Sequence, residues 1–456
     1  GVATAARWAL AIAIFAWVRC GQRALATAAQ RPGELAFVGG APPPLVSSRK
    51  TSRLEQRPMT RAALRPIEDP TWITMEIRRA SSASELLEVL RGRLREPAFN
   101  MIHAATALYM LASLKRRLPQ EWGRDPVVGE LVERIRGLLA KGWAGGQALS
   151  NLTWAVAKLC GDVPRLGELL PLLVEGVQAL LPDEISAQHT SNLLWAVAAL
   201  RKRAPCLRQL VPLLAEMVPM RALEFKSKEL ASIFWSLAAL RADEPRLREL
   251  LPYLADAALR KSQHMDAQEI SNVMWALGAL NPGDDEHAWA LVDALRVEAL
   301  KKVRTFNMQG FANTCWGLAA CGIRDEALAQ SVATAVAHRA SNFGWKEIDL
   351  SLPLLVCALA KMGVWDQALM ESVVAQAGPS LGKLNDWGLC ALSWSFGQLA
   401  PSDDGANGEG GRGKALAEFR ARLQAEVVRR NFSAEHVERS QIGPDAWWAS
   451  VKKRTH

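Results

Sequence analysis

Five tryptophans recur at an almost constant interval through the middle of this chain, and the interval limits its possible folds more than any other feature. They are Trp154, Trp195, Trp235, Trp275 and Trp316, separated by 41, 40, 40 and 41 residues. Each follows a small residue, a polar residue that is usually Asn, and two mostly apolar residues, as in 191–198. Self-similarity at a fixed period of this length marks a repeat protein, in which one structural unit stacks on the next.

Weaker copies extend the repeat in both directions. One copy, near 351–363, lacks the Trp, and another ends at Trp394. Upstream, residues 100–108 fit the same frame with His103 in the Trp position. The repeats are therefore expected to cover residues 84–400.

Each period is predicted to form two helices. Counted from the Trp as position 0, the apolar residues of the first helix fall at −5, −2, −1, +2 and +5, the spacing of one buried helical stripe. Positions +1 and +3 hold small residues, which let neighbouring helices pack closely. The second helix begins at a Pro, and another Pro seven residues later should bend it. These proline pairs are Pro164 and Pro171, Pro205 and Pro212, and Pro245 and Pro252.

One such helix pair cannot bury its own apolar face, whereas stacked pairs can. We therefore predict an all-α fold, an α-solenoid of stacked helix pairs with a period of about 40 residues. Ala and Leu dominate while β-branched residues are few, which argues against an all-β protein. The five Trp side chains are expected in the core between repeats, because apolar positions surround them in the sequence.

Two polar columns offer binding chemistry. Positions −7 and −3 are polar in every strong copy, and a spacing of four places both on one face of the helix. They are Gln147 and Asn151, Gln188 and Asn192, Lys228 and Ser232, Gln268 and Asn272, and Gln309 and Asn313. Amides donate and accept hydrogen bonds, which suits the edges of nucleic-acid bases. In a second interpretation, the Asn column caps backbone groups or bridges adjacent repeats.

The repeated string resembles the first helix of octotricopeptide-type repeats of organellar proteins, and the related repeats of FAST-kinase-like and RAP-domain proteins. Those families share the string small-Asn-apolar-apolar-Trp-Ala-x-Ala-x-Leu, which five copies here match strongly. The resemblance implies an α-solenoid that binds single-stranded RNA. It also implies a role in organellar RNA processing, stability or translation.

The net charge of +9 is unevenly distributed. Residues 147–400 hold 23 Lys and Arg against 26 Asp and Glu, so the basic excess lies in the N-terminal third and the C-terminal tail. The near-neutral repeats weaken an RNA-binding interpretation, because phosphate neutralisation supplies much of the affinity of most RNA-binding proteins. The basic ends are interpreted as solvated termini or as an electrostatic surface for an acidic partner.

The N-terminal segment has the composition of a targeting leader. Residues 1–33 contain no Asp or Glu, and an apolar run from Trp8 to Val18 precedes small residues at 24–28. With Phe37 and the basic, hydroxyl-rich stretch that follows, the segment resembles the bipartite leaders of proteins sent to complex plastids. A mitochondrial presequence and a disordered end are the alternatives. We expect an organellar location, the plastid before the mitochondrion, and no membrane span in the mature chain.

The chain is accordingly divided into four regions. Residues 1–65 are interpreted as a targeting leader and disordered linker, and 66–146 as N-terminal helices with a degenerate first repeat. Residues 147–400 hold the helical repeats, and 401–456 a Gly-rich loop and a basic helical tail. Because the last repeat of a solenoid needs a cover over its apolar face, the tail is expected to form an end cap.

No motif in the sequence supports catalysis. The seven cysteines form no CxxC pair and are interpreted as reduced and buried. The run from Gly408 to Lys414 fits a phosphate-binding GxxxxGK loop, but Ala415 replaces the hydroxyl residue that binds Mg²⁺. The few His residues lack metal-ligand spacing. We therefore expect neither enzymatic activity nor a cofactor or metal.

The sequence thus predicts a non-enzymatic organellar protein that binds single-stranded RNA through the ten residues of the two polar columns. The alternative is a protein-binding scaffold, or a structural subunit of a large organellar complex with protein partners. Armadillo-type solenoids also line a groove with Asn and Trp, and they hold extended peptides there.

Overall fold

The computed structural model describes residues 71–115, 118–119, 121–142, 144–399 and 411–442. The leader interpreted at 1–65, the loop at 401–410 and the basic end at 443–456 lie outside the described residues. The described part contains 19 α-helices, joined by turns and short 3-10 segments, and no strand.

The helices fall into an odd-numbered and an even-numbered series. The odd series is α1 (Thr71–Arg79), α3 (Met101–Ser113), α5 (Gly146–Leu159), α7 (Ala187–Leu200), α9 (Ser227–Leu240), α11 (Ala267–Leu280), α13 (Met308–Ala320), α15 (Leu352–Lys361), α17 (Asp386–Leu399) and α19 (Ala434–Arg439). The even series is α2 (Ala83–Arg93), α4 (Pro126–Leu139), α6 (Leu170–Gln178), α8 (Val211–Arg221), α10 (Leu251–Leu259), α12 (Glu286–Lys301), α14 (Glu326–Ala337), α16 (Gln367–Ala377) and α18 (Gly411–Arg429).

Two layers result from the packing of these series. Each odd helix contacts the next odd helix, from α1 through to α19. The successive even helices, from α2 through to α18, contact one another directly or through their 3-10 segments. A continuous core of buried Leu, Val, Ile, Ala and Phe side chains runs between the layers. The prediction of an all-α solenoid of stacked helix pairs is confirmed.

Small residues set the distance between odd helices, as the sequence predicted for positions +1 and +3. A Cβ added at Gly278 of α11 would lie 2.8 Å from the Cα of Gly317 in α13. A Cβ on Gly317 would in turn collide with the carbonyl oxygen of Met274. The backbones of α11 and α13 therefore meet at a point that excludes any side chain.

The second helix of the early pairs is divided, and the prediction of a bend at the second Pro is wrong. Pro164–Leu169 forms a 3-10 segment, and α6 starts only at Leu170, so Pro171 lies in the first turn of a new α-helix. The same arrangement precedes α8 and α10. Pro fits there because the N–H groups of a first turn have no partner within the helix.

The frame that placed His103 in the Trp position is also wrong. His103 is the third residue of α3 and its Nδ1 accepts a hydrogen bond of 3.0 Å from the N–H of the N-cap, Asn100. His189 does the same at the start of α7, six residues before Trp195. The residue of α3 that corresponds to Trp is therefore Tyr109.

The copy at 351–363 carries Cys357 in the Trp position. Gly322 and Gly363 end α13 and α15 with φ of 75° and 67°, and these matching C-terminal turns align Cys357 with Trp316. A π-helical turn at Glu347–Ser351 precedes α15, which is buried on every side from Ser351 to Ala360.

The prediction that the Trp column belongs to the core is correct only in part, because Trp154, Trp235, Trp275 and Trp316 pack against the core without being fully buried. All five Trp side chains are only partly buried, whereas their neighbours at positions −2, −1 and +2 are buried in every strong copy. An α-helix turns about 100° per residue, so the apolar positions centre on the side opposite to position 0. The Trp rings consequently lie at the solvent boundary of the odd layer.

The C-terminal helices cover the last repeat, as expected for an end cap. Trp387 of α17 is fully buried and its Nε1 donates to the carbonyl oxygen of Ser440 over 2.9 Å. Trp394 donates to Glu438 Oε2 of α19 over 3.0 Å. Arg430, after α18, donates to the carbonyl oxygens of 382 and 384.

The cysteines of the described part form no disulfide. Cys315, Cys357 and Cys390 are buried as predicted, and burial raises the pKa of each thiol to about 12. Three others are only half-buried, which corrects the prediction for them; they are Cys160, Cys206 and Cys321. Cys20 lies outside the described residues. No helix in the described part combines the length and apolar character needed to cross a bilayer.

Candidate functional site

Positions −7, −3, 0 and +4 of the odd helices form one continuous surface. At about 100° per residue these four positions lie within about 60° of each other on the helix. We name this surface the ladder face, and it comprises those positions in α5, α7, α9, α11 and α13, with Tyr109 of α3. Every −7 side chain is exposed, and every −3 and Trp side chain is half-buried. The structure thus brings all ten residues of the two polar columns together with the Trp column.

The aromatic rings of the ladder face lie next to one another along the odd layer. Ring centroids are 5.0 Å apart for Tyr109 and Trp154, 6.0 Å for Trp154 and Trp195, and 6.3 Å for Trp195 and Trp235. Trp275 and Trp316 form a second block, also at 6.3 Å. In the described part no ring contact joins Trp235 to Trp275. The aromatic rings of the ladder face therefore form a first block, from Tyr109 to Trp235, and a second block of Trp275 and Trp316.

The amides at position −3 cap no helix in the described part. Other residues occupy the N-caps, for example Ser186 for α7, Asp266 for α11 and Asn307 for α13. The side chains of Asn192 and Asn272, like that of Asn313, form no hydrogen bond with another described residue. The interpretation of this column as a cap or an inter-repeat bridge is therefore wrong.

Asn151 differs from the other members of its column because its Oδ1 is buried and has no hydrogen-bond partner among the described residues. A buried acceptor without a partner costs free energy, about 1–3 kcal/mol.

Position −7 lies at the second residue of each helix of the ladder face. Gln147 Oε1 lies 3.3 Å from Nε2 of His189 in the next repeat. The side chains of Gln188, Gln268 and Gln309 form no hydrogen bond with another described residue. Lys228 is the one charged side chain in the two columns, so they offer mainly neutral hydrogen-bonding groups.

Position −6 holds a residue that sequence reasoning missed. Glu229 and Glu269 accept the N-cap N–H of α9 and α11 over 2.9 Å, as His189 does for α7. Burial raises the pKa of Glu269 and lowers that of His189. These bonds fix the first turn of each helix and therefore position the −7 side chain beside it.

A second missed column binds neighbouring repeats together. Lys261 donates to the carbonyl oxygens of Leu223 and Phe225, and Lys302 to those of Gln263 and Met265 over 2.8 Å. Arg221, Lys261 and Lys302 each lie fourteen residues before a Trp, so the repeat frame contained this signal. Each of these basic side chains donates to the loop that precedes the odd helix of the previous repeat.

The described part contains no group of three or more His, Cys, Asp or Glu that is arranged to bind a metal ion. The GxxxxGK run starts outside the described residues, and α18 begins at its fourth residue, Gly411. A helix without a preceding strand in the described chain does not present the phosphate-binding loop of an NTPase.

Comparison with protein families finds a similarity in the second half of the described chain. Residues 209–402 match the RNA-editing substrate-binding complex 6 protein family. This stretch runs from the start of α8 to the end of α17 and includes the ladder face of α9, α11 and α13. No curated protein sequence matches the chain significantly. The resemblance to octotricopeptide-type, FAST-kinase-like and RAP-domain proteins stays a prediction, and the chain is similar, over residues 209–402, to RNA-editing substrate-binding complex 6 proteins.

Proposed function

We propose that this protein binds single-stranded RNA along the ladder face, as a non-enzymatic subunit of an RNA-processing assembly. The observation that carries the proposal is the combination of half-buried Trp rings with amides that lack partners in the described part. Aromatic rings stack on any base, and such stacking contributes about 1–3 kcal/mol per base. Amides beside the rings can distinguish base edges, which is how helical-repeat proteins read single-stranded RNA.

The family similarity extends the proposal to partners. The matched family is described by an RNA-editing complex that binds its substrate. We infer that this chain likewise combines RNA binding with docking to protein partners in an editing or related assembly. Its composition at the N-terminus supports an organellar location, the plastid before the mitochondrion.

A peptide-binding scaffold is the second candidate, and the low charge of the ladder face favours it. Lys228 and Lys158 are the charged side chains at positions −7, −3 and +4 of the five strong copies. Extended peptide backbone can be held by Asn amides without neutralising any phosphate. RNA binding, in contrast, weakens steeply as salt concentration rises.

Alanine substitution of the amides tests the proposal. The test variant replaces Gln188, Asn192, Gln268 and Asn272 by Ala. We expect it to lose affinity for an unstructured RNA oligonucleotide by about 1–3 kcal/mol per lost base contact, taking base readout in DNA as a guide. Its melting temperature should change little, since Gln188 and Gln268 are exposed and the half-buried Asn192 and Asn272 form no hydrogen bond with another described residue.

The matched control replaces Asn342 and Gln424, two exposed amides away from the ladder face, by Ala. It should bind RNA as the unmodified protein does. The proposal fails if the unmodified protein binds RNA no better than an unrelated protein of equal net charge. A test variant that unfolds, and loses binding only for that reason, would contradict the assignment of the amides to ligand contact.

A further inference from the structure

The ladder face lacks the positive charge that RNA binding normally needs. A cluster of cations lies at the C-terminal ends of α3, α5 and α7, where the odd helices turn into the even ones. We name it the cationic edge, and it comprises Lys115, Lys158, Lys202 and Arg203.

Contacts connect the cationic edge to the ladder face. Lys158 Nζ lies 4.5 Å from the centroid of the Trp154 ring. Lys115 Nζ donates to the carbonyl oxygen of Lys158 over 2.7 Å and lies 3.0 Å from Asp162 Oδ2. Cations of two successive repeats therefore meet directly beside the first aromatic block.

Arg203 joins the cluster from the next repeat. Its Nη1 is 3.5 Å from the point that a Cβ on Gly161 would occupy. The charges of Arg203 and Lys115 both act on the thiol of Cys160 and partly oppose the rise that burial causes in its pKa. Arg203 therefore lies in the same electrostatic neighbourhood as Lys115.

Acidic side chains do not cancel this charge. Asp162 pairs with Lys115, and Asp243 pairs with Arg208 over 2.6 Å. Lys202 and Arg203 are exposed, and neither forms an ion pair or a side-chain hydrogen bond with another described residue. Two cations of the cluster thus remain free to contact an anion.

The same edge has no excess of positive charge further along the solenoid. The turn after α11 carries Asp284 and Asp285, whereas the turn after α13 carries Arg324 beside Asp325 and has no net charge. Among these turns, the excess of basic side chains therefore lies at the end of the ladder face formed by Tyr109, Trp154 and Trp195.

From this placement we infer that the cationic edge binds the phosphodiester backbone of the RNA strand whose bases stack on the first aromatic block. The inference rests on the proposed function and adds to it the place where the phosphates lie. Phosphates at the edge neutralise Lys202 and Arg203, while the bases of the same nucleotides reach the rings beside Lys158. The neutral columns then serve base contact, and the charge-dependent affinity comes from the edge.

Salt titration of a double variant tests the inference. Lys202 and Arg203 are both replaced by Gln, whereas Lys115 and Lys158 are kept because they bond to the protein itself. The control replaces Lys383 and Arg420, two exposed cations without ion pairs in the described part, by Gln, with the same loss of charge. Affinity for an unstructured pyrimidine-rich RNA is measured from low to physiological salt.

Each phosphate contact contributes about −0.7 to the slope of log affinity against log salt for a single strand. The edge variant should therefore show a slope shallower by about 1.4, and the control should keep the original slope. RNA binding with an unchanged slope in the edge variant would overturn the inference while leaving the proposed function standing. Binding of polyglutamate, but not RNA, that depends on the edge would make it a surface for acidic proteins instead. Absence of RNA binding by the unmodified protein would overturn both proposals.

Discussion

The Cα of Gly317 in α13 lies 2.8 Å from the point that a Cβ on Gly278 in α11 would occupy. The two helices therefore touch through their backbones. This contact lies one turn after Trp275 and directly after Trp316, and the rings of these two residues are 6.3 Å apart. The spacing of the Trp275 and Trp316 rings thus depends on these two glycines.

Replacing Gly317 by Ala should destabilise the protein. The new Cβ would collide with the carbonyl oxygen of Met274, and a backbone atom cannot yield as a flexible side chain can. Overpacking of this kind costs about 1–3 kcal/mol. The control is Gly137→Ala on α4, where nothing lies within 4 Å, and it should gain about 0.5–1 kcal/mol. Equal melting temperatures for the Gly317 variant and the unmodified protein would refute the close contact.

The different burial of Trp195 and Phe234 predicts different costs of truncation. Phe234 is fully buried, so Phe234→Ala should cost about 3–5 kcal/mol. Trp195 is half-buried, so Trp195→Ala should cost clearly less, yet it should weaken RNA binding by about 1–3 kcal/mol through lost stacking. Denaturant unfolding and RNA titration of both variants measure these effects. If the Trp195 variant were as unstable as the Phe234 variant, the Trp column would have to be interpreted as part of the core.

The C-terminal cap should loosen in acid through Glu426. Its hydrogen bonds from Arg429 and Arg430 lower the pKa of the carboxyl from 4.5 to about 2. Because the folded pKa is the lower one, the contribution of Glu426 to stability is present above pH 4.5 and is lost as the pH falls towards 2. The Glu426→Gln side chain cannot ionise. Its melting temperature should therefore lie below that of the unmodified protein by a constant amount above pH 4.5, and this difference should disappear as the pH falls towards 2.

Glu418→Gln on the same helix is the control for this titration, since Glu418 is exposed and forms no ion pair in the described part. Its melting temperature should follow that of the unmodified protein at every pH. A deficit for Glu426→Gln that stays constant down to the lowest pH would contradict the lowered pKa.

The fold could be predicted from the sequence because every repeat carries the same apolar stripe, which has to be buried against its neighbours. Helix spacing, small residues at +1 and +3, and the need to bury a stripe all pointed to stacked pairs. The end cap followed from the same reasoning. Proline was misjudged because a 3-10 segment can end where an α-helix begins, which turns an apparent interior position into a first turn.

The side of the helix that carries the Trp was misjudged for a different reason. Neighbouring residues in sequence suggested a core position, whereas the angle around the helix places Trp195 with Asn192 and opposite Leu193. Tyr109 was missed because His103, whose side chain accepts from the N-cap N–H of α3, was mistaken for the aromatic position. The role of the Lys and Arg side chains at position −14, such as Lys302, is visible only in the structure, where they contact the loop of the previous repeat.

Photo-crosslinking of an unstructured RNA oligonucleotide to the protein, with the linked peptides identified by mass spectrometry, tests the central claim most directly. RNA held on the ladder face should crosslink within residues 147–158, 188–199, 228–239, 268–279 and 309–320. The Trp rings at the solvent boundary should be among the linked residues, because base stacking brings the reacting rings together. Crosslinks confined to the even helices or to α18 and α19, with none on the ladder face, would contradict the account.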